Sequence, residues 1–222
     1  MAVGRVGILG LQGDFARHRA SLEALGVEAP PVRLAADLEG LDALVLPGGE
    51  STTMLTLIEA YGLRAPLAAF LQSRPVMGTC AGLILLGRGS EWLPAPPFGA
   101  LDVTVERNAY GRQVDSFAAD VEAPVVGGRF HAVFIRAPRI SGIGAGVEVI
   151  ARRLPGTGGT PEGEPVAVRQ RRVVGLCFHP ELTGDLRFHR WFLAEVAGLA
   201  GIASGDSRPA PSPMAALSRD RS

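Results

Sequence analysis

The segment Gly78-Thr79-Cys80-Ala81-Gly82 has the spacing of a nucleophile elbow, in which glycines stand two positions before and two positions after a nucleophilic side chain. The glycines permit the sharp turn between strand and helix that presents the side chain above the end of the strand. A cysteine there also faces a helix N-terminus, whose positive dipole end stabilises a thiolate. The segment therefore predicts Cys80 as a nucleophile; the alternative is a small buried thiol in a tight turn.

A nucleophilic cysteine needs a base, and His179 is the best placed histidine. It follows an apolar run and stands in His179-Pro180-Glu181, where the proline ends the strand. Side chains two positions apart in an extended chain point to the same side. We therefore expect Glu181 to accept a hydrogen bond from one imidazole nitrogen, so that the other nitrogen faces Cys80.

The other histidines carry no such signal. His18 and His189 lie among arginines in helical patterns, and we expect both to be surface groups. His131 lies in or near a strand beside Arg129, and the pattern favours no particular role for it.

A glycine turn supplies the third part of the predicted site. The segment from Pro47 to Ser51 follows a fully apolar run, and ligands of open parallel sheets bind beyond the carboxyl ends of the strands. The N–H groups of Gly49 and Ala81 could together form an oxyanion hole. In isolation such a turn more commonly begins a helix, and Ser51 or Thr52 is the expected cap. Together with the elbow and the base, the turn favours acyl-transfer chemistry.

Composition excludes several other kinds of chemistry. The chain has 22 basic and 22 acidic residues, and every basic residue is an arginine. Without lysine it cannot form a Schiff base or use a P-loop lysine. Zero net charge argues against nucleic-acid and anionic-membrane partners. Cys80 and Cys177 are predicted to be free thiols, and since no cluster has metal-ligand spacing we expect no metal. The lack of a long apolar run or a signal-peptide pattern predicts a cytoplasmic location.

The elements that must position these residues indicate an α/β fold. In the first half, short apolar strands such as Ala43 to Leu46 alternate with helical patterns, which is typical of a parallel sheet. Beyond Ala100 the strands follow one another closely, which favours mixed or antiparallel pairing. We expect a three-layer sandwich with a mixed, mainly parallel central sheet flanked by helices. The strands predicted in the second half are Leu101 to Glu106, Arg129 to Ile135, Val147 to Ala151, Pro165 to Arg169 and Val173 to Phe178.

The sequence predicts one domain followed by a tail. Residues 1–202 are predicted to form the domain, which closes with a helix from about Asp185 to Ala200 whose apolar residues share one face. Residues 203–222, rich in Ser, Pro and Ala, are predicted to be disordered. The segment Pro155 to Glu164, rich in Gly, Thr and Pro, is predicted to be a hairpin loop.

The motifs together resemble a known family. The elbow, the FHPE segment, the PGG turn and the alternating elements are similar to the class I, triad-type glutamine amidotransferases, which have a flavodoxin-like fold. Within that class the chain resembles the glutaminase subunits of pyridoxal 5′-phosphate synthase, over about residues 5 to 200. The segments that carry this resemblance are GLQGD, LPGGEST at 46–52, GTCAGLI at 78–84, VERNAYGRQVDSF at 105–117, VFIRAP at 133–138 and FHPEL at 178–182.

The resemblance implies a complete glutaminase site. It makes Cys80 the nucleophile, His179 the base and Glu181 its orienting partner, with no cofactor. It also implies that L-glutamine is bound by six residues, which are Gly49, Glu50, Ser51, Arg107, Ile135 and Arg136. The ammonia released would pass to a synthase subunit in a large hetero-oligomer. Gln12, near the rim of the site, would take part in the coupling between the two subunits.

Three other functions remain open at this stage. One is a glutaminase that feeds a different synthase, such as that of histidine biosynthesis, although ERN and GRQVDSF argue against it. A second is a cysteine-elbow protein of the DJ-1 group, which would lack the segment from His179 to Glu181. The third is a catalytically silent regulatory subunit, against which the intact triad speaks.

Overall fold

The computed structural model describes residues 4–107, 109, 116–154 and 163–202. The strands are β1 (Val6–Leu9), β2 (Pro31–Val32), β3 (Ala43–Leu46), β4 (Val76–Thr79), β5 (Val103–Glu106), β6 (Ser116–Ala123), β7 (Gly128–Ile135), β8 (Arg139–Ile143), β9 (Glu148–Arg153), β10 (Glu164–Gln170) and β11 (Val173–Leu176). The helices are α1 (Phe15–Ala24), α2 (Ser51–Ala60), α3 (Arg64–Ser73), α4 (Ala81–Leu86) and α5 (Arg187–Trp191), and α5 continues as the π-helical segment Phe192–Val196.

Most of the described strands belong to one mixed sheet, in the order β2-β1-β3-β4-β11-β10-β9-β6-β7. Neighbours from β2 to β11 are parallel, and neighbours from β11 to β7 are antiparallel. Strands β5 and β8 form a separate antiparallel pair. The predicted mixed α/β sheet with flanking helices is confirmed.

The parallel half contains the most deeply buried strands. Every residue of β1, β3, β4 and β11 is buried, which explains why these strands read as short continuous apolar runs. Leu46 of β3 is in register with Gly78 of β4, and Thr79 of β4 is in register with Leu176 of β11. The carboxyl ends of these three strands therefore lie side by side at one edge of the sheet.

Helix α5 packs against the antiparallel half of the sheet through aromatic rings. The Phe188 ring of α5 lies edge-on to Phe130, with centroids 4.8 Å apart, and to Phe178, with centroids 5.2 Å apart. Phe192 and Val196 continue the same buried face. The predicted apolar face is confirmed, although the helical segment runs only from Arg187 to Val196 and is shorter than predicted.

Two strands were not predicted from the sequence. Strand β6 alternates exposed residues with buried or half-buried ones, a period-two signal that the sequence analysis missed, and β8 has only five residues. Both pair with strands that were predicted, β7 and β5.

Some predictions fall on residues outside the described part of the chain. These are most of the loop Pro155 to Glu164, the tail 203–222, and residues 108 and 110–115 of the VERNAYGRQVDSF segment. Within the described residues no single helix is long and apolar enough to cross a membrane; α2 and α3 reach the required length only as a pair, bent by 107°.

Candidate active site

The turn that carries Cys80 is strained. Cys80 has φ of 49° and ψ of −103°, a backbone conformation that non-glycine residues rarely adopt and that costs about 1–3 kcal/mol. Its backbone N–H donates to the Leu176 carbonyl oxygen of β11 at 2.8 Å, which ties the turn to the neighbouring strand. Strain of this kind, held in place by surrounding structure, is typical of a functional turn.

Close packing explains the two glycines of the elbow. A Cβ atom on Gly78 would lie 2.6 Å from the carbonyl carbon of Gly82. A Cβ atom on Gly82 would lie 2.1 Å from the carbonyl oxygen of Leu46, at the end of β3. The spacing recognised in the sequence thus reflects the contact of α4 with two adjacent strands.

His179 and Glu181 are in direct contact. The imidazole Nδ1 of His179 lies 2.7 Å from Oε1 of Glu181, and both side chains are buried. The contact was predicted from extended chain, in which side chains two positions apart share one side. In the structure Pro180–Leu182 is a 3₁₀ turn, and this turn brings the two side chains together. The backbone N–H of His179 donates to the Val133 carbonyl oxygen of β7 at 2.9 Å, so the imidazole is held by the two halves of the sheet.

The electrostatics of this pair favour a charged base. Burial alone would lower the pKa of His179, but its interactions with Cys80 and Glu181 raise it well above its ordinary value. Burial likewise opposes ionisation of Glu181, yet the neighbouring His18 and His179 lower the pKa of this carboxyl. The arrangement can therefore support an imidazolium at His179, between Cys80 and a buried carboxylate.

The structure overturns the prediction that His18 and His189 are surface groups. Both side chains are completely buried, and both lie close to Glu181. A signal was present in the sequence: His18 precedes the buried Ser21 and Leu22 by three and four positions, so it lies on the inner face of α1. The arginines beside it point elsewhere on the helix. His131, in contrast, is exposed and lies 3.1 Å from Asp120.

One pocket of about 280 Å³ gathers the predicted site, a size that suits a ligand as small as an amino acid. The predicted nucleophile, the predicted base and all six residues predicted to bind glutamine line it, whereas Ala81 and Glu181 are not among its lining residues. The lining residues are Gln12, Asp14, Gly48, Gly49, Glu50, Ser51, Cys80, Ile84, Arg107, Ile135, Arg136 and His179.

Glu50 is the cap of α2, in place of the predicted Ser51 or Thr52. Its carboxylate accepts hydrogen bonds from the backbone N–H groups of Thr52 and Thr53, at 3.2 and 2.6 Å, and from both threonine hydroxyls. Arg107 Nη2 donates to the same carboxylate at 3.1 Å. Burial opposes this charge, but the threonine hydrogen bonds outweigh it and lower the pKa of Glu50 to about 2.

We expect Glu50→Ala to reduce the free energy of unfolding at pH 7 by about 1 kcal/mol, the usual loss when a helix cap is removed. Because the pKa of Glu50 is lower in the folded chain, its contribution is complete above its ordinary value of 4.5 and disappears as the pH falls towards about 2. Urea denaturation of both proteins between pH 7 and pH 3 measures the difference, which should narrow at acid pH. A difference that is constant across this range would contradict the assignment.

Glycines also let backbone approach the base and the pocket. A Cβ atom on Gly48 would lie 2.2 Å from Cε1 of His179. Gln12, which follows β1, accepts a hydrogen bond from the Glu50 N–H at 2.8 Å and lies against Gly49. Ala81 is the first residue of α4, where helix N–H groups lack partners within the helix.

Among the described residues, no group of three or more His, Cys, Asp or Glu side chains could hold a metal ion.

Comparison with protein-family models finds a match to the SNO glutamine amidotransferase family over residues 8–198. The chain is 48% identical over 203 residues to the pyridoxal 5′-phosphate synthase subunit PdxT of Mycolicibacterium vanbaalenii, covering 89% of this chain and 100% of that protein. It is 50% identical over 200 residues to the subunit of the same name from Thermus thermophilus, covering 88% of this chain and 99% of that protein.

Solved structures give the same result. A crystal structure of a glutamine amidotransferase superposes with a TM-score of 0.78 at 47% identity, covering 87% of this chain and 98% of that one. PurLQS from Thermotoga maritima shares the fold, with a TM-score of 0.63 at 19% identity over 86% of this chain and 97% of the other.

Proposed function

Because the chain belongs to the SNO glutamine amidotransferase family, we propose that it is the glutaminase subunit of a pyridoxal 5′-phosphate synthase. The observation that carries the catalytic part of the proposal is the single pocket in which Cys80 and His179 meet the six residues assigned to glutamine. In this reaction L-glutamine is hydrolysed to L-glutamate and ammonia.

The first half-reaction forms a thioester. The Cys80 thiolate attacks the side-chain carbonyl carbon of glutamine, and the carbonyl oxygen gains the negative charge. The His179 imidazolium gives its Nε2 proton to the departing nitrogen, and the carbon–nitrogen bond breaks to release ammonia. Glu181 keeps Nδ1 of the imidazole protonated and in position, in the manner of a triad carboxylate.

The second half-reaction regenerates the thiolate. Nε2 of His179 takes a proton from water, and the resulting hydroxide attacks the γ-glutamyl thioester. The carbon–sulfur bond then breaks and glutamate leaves. The N–H groups of Gly49 and Ala81 hold the oxyanion in both steps; the position of Gly49 on the pocket wall and of Ala81 directly after the nucleophile supports this role.

The charges of the pocket suit an amino acid zwitterion. Arg107 and Arg136 supply two guanidinium groups, whose planar fork can bind both oxygens of an α-carboxylate. Glu50 supplies a carboxylate that stays ionised at neutral pH, because the pKa of this group is held near 2. Ser51 and Ile135 complete the glutamine site.

The product ammonia passes to a synthase subunit that builds pyridoxal 5′-phosphate. The chain has no lysine, so any imine-forming lysine needed to build the ring must belong to the partner. This chain then supplies only nitrogen, within a large hetero-oligomer. Gln12 is proposed to couple the two subunits, since it joins β1 to the Glu50 backbone at the rim of the pocket.

An isotope experiment tests the function. The purified chain, mixed with a pyridoxal 5′-phosphate synthase subunit, a pentose phosphate and a triose phosphate, receives glutamine labelled with ¹⁵N in the side-chain amide. We expect stoichiometric glutamate release and ¹⁵N in the pyridoxal ring. Glutamate release only with a synthase of another pathway would support the alternative of a different amidotransferase complex. The absence of release with any partner would support a silent regulatory subunit.

A further inference from the structure

A buried polar cluster lies on the far side of Glu181 from the pocket. His18 and His189 are completely buried, as is the side chain of Glu181. Nε2 of His18 lies 3.2 Å from Oε2 of Glu181 and 3.2 Å from Oγ1 of Thr79, and Nδ1 of His18 lies 3.0 Å from Nε2 of His189. The cluster connects α1, β4, α5 and the turn after β11, and it reaches the residue that precedes the nucleophile.

The cluster leaves one arrangement of protons that satisfies it best. Suppose that the proton of His18 were on Nδ1. The unprotonated Nε2 of His18 would then face the Glu181 carboxylate, and Nε2 of His189 would have to accept the proton of His18 in a hydrogen bond. The proton of His189 would therefore be on its Nδ1, where the described residues offer it no hydrogen-bond partner. With the proton on Nε2, His18 donates to Thr79, its N–H lies beside the Glu181 carboxylate, and its Nδ1 accepts from Nε2 of His189. Of the two imidazoles, only an unprotonated nitrogen of His189 then lacks a partner, which is the smaller penalty.

The two oxygens of Glu181 have unequal support. Oε1 holds the catalytic imidazole at 2.7 Å. Oε2 is buried and accepts no hydrogen bond from the described residues, but Nε2 of His18 lies within ion-pair distance of it, at 3.2 Å. A buried carboxylate oxygen without a donor is costly and free to turn away. The imidazole of His18, placed beside Oε2 and held by Thr79 and His189, therefore limits the rotation of the group that orients His179.

We propose that His18, backed by His189, is a positioning residue for the glutaminase reaction, which it serves by holding Glu181 as an oriented carboxylate behind His179. The inference rests on the proposed function of this site. It extends the triad into a line of groups, from Cys80 through His179 and Glu181 to His18 and His189. In this line the Nδ1–H of His179 and the Nε2–H groups of His18 and His189 point towards Glu181.

The proposed arrangement favours a neutral His18. The ionisable groups that face it are Glu181, His179 and His189, with Asp14 at the start of its own helix. Burial lowers the pKa of His18, and burial together with His18 lowers the pKa of His189 to about 3. If His18 and His189 are neutral, the negative charge of Glu181 interacts mainly with the His179 imidazolium. A positively charged His18 would compete with His179 for the Glu181 carboxylate.

Two substitutions separate positioning from packing. His18→Leu keeps the bulk and removes the donor, while His18→Gln keeps a donor near the place of Nε2. The rate at which iodoacetamide alkylates Cys80 in the isolated chain, measured from pH 5 to pH 9, reports the thiolate–imidazolium pair without glutamine or partner. We expect His18→Leu to slow alkylation at pH 7 on the order of tenfold and to shift its pH profile, with His18→Gln close to wild type. In the complex kcat should fall similarly and KM should stay within about twofold.

The control is His131→Asn, which changes an exposed histidine and should alter none of these values. A folded His18→Leu variant with the alkylation profile and kcat of wild type would overturn the proposal, as would equal losses in the leucine and glutamine variants. Failure of the proposed function is a separate result, because it would remove glutamate release and leave the alkylation profiles intact.

The unaltered chain gives a second measurement, which does not depend on the variants folding. Imidazole ¹⁵N spectra of the wild-type protein should show His18 neutral and protonated at Nε2 from pH 6 to pH 8. Protonation at Nδ1, or a charged His18 in this range, would contradict the proposal.

Discussion

Cys80→Ala is expected to lower glutamate release by at least about a thousandfold in the presence of the synthase partner, since removal of a catalytic nucleophile leaves only binding and oxyanion stabilisation. The thiol stands at a strained elbow, and its Sγ lies 3.8 Å from the Ile135 carbonyl oxygen on the pocket wall. The measurement is steady-state glutamate formation by the complex, compared with wild type.

The second cysteine provides a matched control. Cys177 is a completely buried free thiol whose pKa is raised by burial, so it is unreactive. Cys177→Ala should retain activity within about twofold, because it removes one small buried atom away from the pocket. Substantial glutamate release by Cys80→Ala would refute the proposed mechanism and point to another nucleophile.

Gly82→Ala is expected to reduce the free energy of unfolding by about 3 kcal/mol, at the upper end of the effect of overpacking a buried contact. The new methyl group would lie 2.1 Å from the Leu46 carbonyl oxygen and 3.0 Å from the Leu46 Cβ atom. Since the obstacle is strand backbone and not a flexible side chain, α4 must move away from β3. Urea denaturation followed by circular dichroism measures the loss.

Gly89→Ala is the control for this substitution. A Cβ atom on Gly89 meets nothing within 4 Å, and its φ is not in the left-handed region. Its unfolding free energy should change by less than about 0.5 kcal/mol. If Gly82→Ala were as stable as Gly89→Ala, the close contact between the elbow helix and β3 would be wrong.

The residues that the sequence identifies at the site share a physical reason. A Cβ atom would collide with backbone at Gly78 and Gly82 and with the His179 ring at Gly48. The close packing of these turns therefore requires glycine, and the sequence shows it. Short, fully buried parallel strands leave a plain apolar signal, and their carboxyl ends indicate where ligands bind. The geometry of the elbow was therefore predictable from spacing, and the family resemblance is confirmed by the match over residues 8–198.

The parts that were missed depend on contacts distant in sequence. The spacing of His18 to Ser21 and Leu22 indicates the inner face of α1, but its partners lie on α5 and on the turn after β11, more than a hundred residues away along the chain. Local composition favoured the surface, because arginines flank both His18 and His189. Glu50 replaced the expected cap since a carboxylate one position earlier reaches two N–H groups and Arg107 at once. Such partners cannot be read from one segment.

The candidate site lies at the carboxyl ends of β3, β4 and β11, so the amino ends of these strands lie at the opposite edge of the sheet, away from the site. There the chain enters β3 after Asp42 and β4 after Pro75, and it enters β11 by the short turn that follows Gln170. Changes of length in these entry loops leave the carboxyl ends of the same strands in register, because the strand pairing fixes them. The fold thus separates the ends of the strands that carry the candidate site from the ends at which changes of loop length disturb that site least.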